Sequence, residues 1–116
     1  MDNRKKRTWA EVSLSALEHN VNTMRALLRD DTGFLGVVKA NAYGHGAVKI
    51  AERLEKCGAG YLAVACLDEA AELRHEGITL PILILGATAG EYAPELAELD
   101  ITQEVESLEK ARALSA

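Results

Sequence analysis

The 116-residue sequence predicts an α/β fold built on a parallel sheet. Strand-like and helix-like segments alternate almost from end to end, and three of the four strand-like segments are continuously apolar, as in strands covered on both faces. Four strands joined by helices fit either a small doubly wound sheet or half of a (β/α)8 barrel, and periodicity does not separate the two. A complete barrel takes about 250 residues, so on the barrel reading the sequence holds about four βα units, the first half.

Residues 1–12 read as an amino-terminal arm and residues 13–116 as the domain. Leu14, Leu17, Val21, Met24 and Leu28 recur at steps of three and four, which marks one apolar helical face. Ser13 is placed to cap this helix, with Ser15 and Glu18 as an alternative capping box. The run Asp30-Asp31-Thr32-Gly33 is rich in turn formers and should end it. Residues 34–40 have the length and composition of a buried strand, with Lys39 as the penultimate residue. Residues 41–46 interrupt the pattern, and a helix over 47–57 follows, with Ile50, Ala51 and Leu54 inward and Gly58 as its left-handed stop. Residues 61–65 form the second strand. A helix over 68–76 is closed by Gly77, and Pro81 admits the strand 82–85. After the turn 86–90 come a short helix (91–98), a weaker strand (100–104) and a last helix (107–114).

Composition excludes several classes of function. Hydrophobic residues make up 48% and charged residues 27%, as in a folded globular domain and not a disordered chain. Thirteen basic against eighteen acidic residues give a net charge of −5, which argues against a nucleic-acid partner. The basic run Arg4-Lys5-Lys6-Arg7 precedes Thr8-Trp9 and no apolar stretch, so it reads as a solvated, frayed terminus and not as a signal peptide. No segment approaches the roughly 20 apolar residues of a membrane span. The expectation is a cytoplasmic protein with no membrane partner. Cys57 and Cys66 match no zinc spacing and read as small buried packing residues, so no metal site is expected.

Lys39 draws attention by its place. Alternation puts Leu35, Val37 and Lys39 on one face, and in either fold the carboxyl end of a parallel strand is the ligand edge. Partial desolvation there makes a neutral amine accessible for Schiff-base or proton-transfer chemistry. A strand-end lysine that merely carries its charge out to water is the competing reading. The loop after it shifts the balance: Tyr43 places a phenol four residues on, and Gly44 and Gly46 open a helix, both suited to an anionic ligand. Gly44-His45-Gly46 is not a dinucleotide fingerprint, since no third glycine follows at the required spacing. His45 reads as a packing or capping residue, and His19 and His75 as helix positions without chemistry.

The stretch Val37-Val38-Lys39-Ala40-Asn41-Ala42-Tyr43-Gly44-His45-Gly46 resembles, residue for residue, the pyridoxal-phosphate attachment motif of the alanine racemase family. Thr8-Trp9-Ala10-Glu11-Val12, Leu62-Ala63-Val64-Ala65 with Leu67-Asp68-Glu69-Ala70, and Pro81 through Gly86 resemble that family's entry segment and its second and third strand regions. The resemblance implies the first half of a (β/α)8 barrel, with the second half and a β-rich domain outside this sequence, and a homodimer. It implies that Lys39 holds pyridoxal 5'-phosphate and is the base facing the α-hydrogen of the D-enantiomer. Tyr43 would contact the cofactor phosphate, and Val37 and Leu85 would line the pocket. The second acid/base would be a tyrosine of the partner subunit. The implied reaction interconverts L- and D-alanine, supplying D-alanine for peptidoglycan. The alternatives are a racemase of another amino acid and a non-catalytic α/β module that binds pyridoxal phosphate or phosphate.

Overall fold

The computed structural model describes residues 6–116; Arg4 and Lys5 of the basic run lie outside them, and Lys6 and Arg7 are exposed. Helix α1 spans Leu14–Arg25 and starts where the Ser13 side chain accepts a hydrogen bond from the Ala16 amide at 3.1 Å. The alternative capping box is not used. Ser15 Oγ instead meets Ser13 Oγ at 3.1 Å, and Glu18 accepts from Arg53 at 2.8 Å, joining α1 to α2 (Ala47–Lys56). Leu14, Leu17 and Val21 pack on the core. Met24, in the last turn of α1, and Leu28, beyond its end, do not, at 49% and 38% exposure. In the break that follows, the Arg29 guanidinium on both oxygens of Asp31 holds that carboxyl below the usual carboxylate range.

The strands are β1 (Leu35–Val37), β2 (Tyr61–Val64), β3 (Ile82–Ile84) and β4 (Ile101–Gln103). Helix α3 (Leu67–His75) joins β2 to β3, α4 (Ala93–Glu98), entered through a 3-10 turn at Gly90–Tyr92, joins β3 to β4, and α5 (Leu108–Ser115) follows β4. All pairs are parallel and the order is β1-β2-β3-β4. A doubly wound sheet needs a reversal of strand order at its switch point, and none occurs. Successive crossovers of one hand that always step the same way put every connecting helix on the same face, which is the construction of a barrel wall. The radius of gyration, 16.4 Å, exceeds the roughly 13 Å of a compact domain this size, and the shortest extent is 21 Å. The sequence forms a two-layered arc.

The register assigns the faces. Gly36, Leu62 and Ile82 stand in one row and Val38, Val64 and Ile84 lie two residues on; all six face the helices and are buried. They meet Ile50, Ala51 and Leu54 of α2, Ala70 and Leu73 of α3, and Leu96 of α4. Gly36 lets α2 approach closely, since a Cβ there would lie 2.5 Å from Leu54 Cδ1. On the opposite face Leu35, Val37 and Leu85 are 39%, 38% and 40% exposed. The continuous apolar runs of the sequence therefore belong to strands that this chain's own helices cover on one side only.

Two expectations are corrected. Lys39 is not a strand residue: β1 ends at Val37, Val38 leaves the extended region (φ −121, ψ 19), and Lys39 opens a separate turn. Cys66 is exposed at the N-cap position of α3, beyond the carboxyl end of β2, and its side chain makes no cap bond; Cys57 is partly exposed and packs against the core.

Arg74, at the end of α3, ties the opposite edge together. Its guanidinium donates to the carbonyls of Leu99, Ile78, Leu80 and Asp100 at 2.8, 2.9, 2.7 and 3.0 Å. These carbonyls lie on the approaches to β3 and β4, so one cation fixes where two strands begin. Arg74→Met keeps the apolar stem and removes all four bonds; it should lower stability by roughly 2–3 kcal/mol, read as a denaturant midpoint moved at constant slope. An unchanged midpoint would contradict this role. Residues 1–116 taken alone expose two strand edges and the Leu35, Val37 and Leu85 face, so they should self-associate. Light scattering across a concentration series checks this, and a stable monomer throughout would argue against it.

Candidate active site

The segment Lys39–Tyr43 is one helical turn of the wrong hand for L-residues. Ala40 (φ 50, ψ 47), Asn41 (φ 55, ψ 43) and Ala42 (φ 53, ψ 44) are left-handed, and Tyr43 has φ 57. Each costs about 1–2 kcal/mol relative to a right-handed residue, less for asparagine. Such a run persists only where its surroundings fix it.

Several hydrogen bonds do so. Within the turn, the Ala42 amide donates to the Val38 carbonyl at 2.9 Å. Asn41 accepts at its carbonyl from Gly46 at 3.0 Å and at its side-chain oxygen from the Ala47 amide at 2.9 Å, so it satisfies the first donor of α2. His45 takes the packing role read from the sequence: its Nδ1 donates to the Ala42 carbonyl at 2.9 Å. From α3, the Glu69 carboxylate accepts from the Ala40 amide at 2.8 Å and from the Ala65 amide at 2.7 Å. One side chain thus links the residue after Lys39 to the end of β2.

Lys39 is half-buried, and its amine has no hydrogen-bond or ion-pair partner among the described residues. Tyr43 is 61% exposed and its hydroxyl is likewise unpartnered among them. Val37 ends β1 two residues before Lys39, and Leu85 follows β3, both at the carboxyl edge. These four residues share that edge without forming a closed pocket, because an arc of four strands leaves its concave side open. A cleft of about 410 Å³ does form beside β1, between Ser13 and Leu17 of the α1 start, Val37, His45 and Ile50, but Lys39, Tyr43 and Leu85 do not line it. Of the groups that hold the site, Glu69 and Asn41 were not singled out from sequence. An acidic residue in a predicted first helical turn was the available signal for Glu69, and asparagine's tolerance of positive φ was that for Asn41.

The model of the alanine racemase N-terminal domain matches residues 12–116. The chain belongs to the alanine racemase family. An alanine racemase of Desulfovibrio desulfuricans is 53% identical over 108 residues, covering 93% of this chain and 29% of that protein. The solved alanine racemase of Clostridium difficile 630 superposes with a TM-score of 0.89 at 50% identity, covering 92% of this chain and 28% of its own. A histidine racemase from Leuconostoc mesenteroides superposes with a TM-score of 0.80 at 34% identity, over 90% of this chain and 28% of its own. The chain therefore spans somewhat over a quarter of the length of these relatives. Within the family, its four parallel strands and their helices are the first half of the racemase barrel.

Asn41→Ala removes both the acceptor on the Ala47 amide and the tolerance for positive φ, and should lower stability by about 1–2 kcal/mol. Asn41→Asp keeps the acceptor and should retain most of it. Parallel urea titrations separate the two; equal losses would mean that the side-chain bond contributes nothing.

Proposed function

We propose that this sequence carries the cofactor lysine of a pyridoxal-phosphate-dependent alanine racemase, with residues 13–116 as barrel wall and residues 1–12 as an arm. The observation that carries the reading is the unpartnered Lys39 amine at the carboxyl edge of β1, in a chain of this family. The residues fit the cofactor: a primary amine, a free phenol at Tyr43, and apolar side chains of Val37 and Leu85 facing the uncovered side. They offer an attachment point, a hydrogen-bond donor for a phosphate and a surface for a flat ring.

Pyridoxal phosphate, when bound, supplies the electron sink that makes an amino acid's α-hydrogen removable. Lys39 Nζ holds the cofactor and moves the proton at the α-carbon on the face it occupies. The left-handed turn keeps that amine beyond the strand end, clear of the sheet's hydrogen bonds. Tyr43 would donate a hydrogen bond from its hydroxyl to the phosphate, and Val37 and Leu85 would offer an apolar surface to the ring. Inversion needs a second proton carrier on the opposite face, which this reading assigns to the partner subunit of a homodimer. The product, D-alanine, serves peptidoglycan synthesis in the cytoplasm. A racemase of another amino acid is the second reading, supported by the likeness to a histidine racemase. No helix among the described residues is long and apolar enough to cross a membrane.

Lys39→Ala, in the racemase that carries this sequence, should abolish cofactor attachment and cut racemisation in both directions by orders of magnitude while leaving the fold intact. Tyr43→Phe should weaken cofactor affinity by about 1–3 kcal/mol, one charged hydrogen bond. Cofactor titration and racemisation rates from each enantiomer decide both. Near-normal turnover in Lys39→Ala would contradict the assignment; unchanged affinity in Tyr43→Phe would remove only the phosphate role.

A further inference from the structure

Glu69 does more than its position at the start of a helix requires. Its Oε2 accepts from the Ala65 amide, one residue ahead of the Cys66 N-cap, so it secures the entry to α3 much as a capping box does. Its Oε1 accepts from the Ala40 amide, 29 residues away in sequence and unrelated to α3. Ala40 is the first left-handed residue after Lys39, and the first N–H groups of any helical turn lack a partner within it. Glu69 supplies the missing acceptor.

We propose that Glu69 is a positioning residue for Lys39, acting through the Ala40 amide; this rests on the reading of Lys39 as the cofactor amine. The peptide group between Lys39 and Ala40 is planar, so fixing its N–H fixes the plane from which the Lys39 side chain departs. Glu69 forms no ion pair with Lys39 within 4.0 Å, so the effect runs through geometry and not through a charge pair. Two N–H donors converge on this side chain, and only a carboxylate presents an acceptor to each. Glutamine, although isosteric, would set its NH2 against one of them. Aspartate is a methylene shorter and cannot reach both. The start of α3 also favours a negative charge there.

The test uses Glu69→Gln and Glu69→Asp in the racemase that carries this sequence. Three readouts apply: pyridoxal-phosphate affinity, amide exchange at Ala40, and the pH profile of Lys39 labelling by an amine-reactive reagent in cofactor-free protein. Both variants should bind the cofactor about ten-fold more weakly. They should exchange faster at Ala40 and shift the Lys39 labelling profile, while Lys49 and Lys56 label as before. If either folded variant keeps wild-type affinity and a wild-type Lys39 profile, and only its melting temperature falls, Glu69 merely caps α3 and the proposal is wrong. Should Glu69→Gln fail to fold, Glu69→Asp, which retains the charge, decides by the same readouts. Lys39→Ala separates the two levels: normal cofactor binding there overturns the functional reading, whereas lost binding there with unaffected Glu69 variants overturns this proposal alone.

Discussion

The left-handed turn from Ala40 to Tyr43 is the constraint around which the site is organised. It is intrinsically unfavourable, and it sits where a parallel strand would otherwise run on or pass into a right-handed helix. Its effect is geometric. The chain leaves the ladder after Val38, whose amide still donates to Ala63, and Lys39 is delivered past the strand end with its amine unpartnered among the described residues. A regular strand through residue 40 would have kept the Lys39 backbone in the ladder and moved the turn, Tyr43 and the start of α2 along with it.

The rest of the arc meets the cost of that turn. Asn41 anchors it to α2, Glu69 anchors it to α3, and both helices are seated on the sheet by Leu54, Leu73 and their neighbours. Packing on the helix side and geometry at the carboxyl edge are therefore one problem. Gly36 illustrates the link: without a Cβ it leaves room for the Leu54 side chain of α2 to pack directly on β1. At the opposite edge Arg74 fixes where β3 and β4 begin, leaving the carboxyl edge free for chemistry. This division between a stability edge and a functional edge is general in barrels of parallel strands.

Much of this was legible in the sequence, for reasons that differ between elements. Helix α2 announces itself by Ile50, Ala51 and Leu54 on one face, and α2 and α3 both end at a glycine, Gly58 and Gly77, at positive φ. Ser13 caps α1 as a short polar side chain ahead of an apolar run does, whereas Ser107, read as the first residue of the last helix, is the cap of α5. Lys39, Tyr43 and Val37 fall in one local motif and Leu85 was a strand-end candidate implied by the family resemblance; all four lie at the carboxyl edge. Local signals failed at Ala40, Ala42 and Tyr43, whose ordinary preferences oppose the conformation they adopt. Only contacts from distant residues impose it, and Glu69 lies 29 positions from the amide it holds. Strand order was equally out of reach, since apolar runs carry no record of which neighbour they pair with.

On the proposed reading, this turn presents Lys39, and no other amine of the chain, to pyridoxal phosphate. Borohydride reduction after incubation with pyridoxal phosphate, followed by peptide mapping, fixes the cofactor on whichever amine carries it. One modified site, Lys39, is expected in the full protein that carries this sequence. Modification spread over Lys49, Lys56 and Lys110, or an unmodified Lys39 in protein that has bound the cofactor, would contradict it.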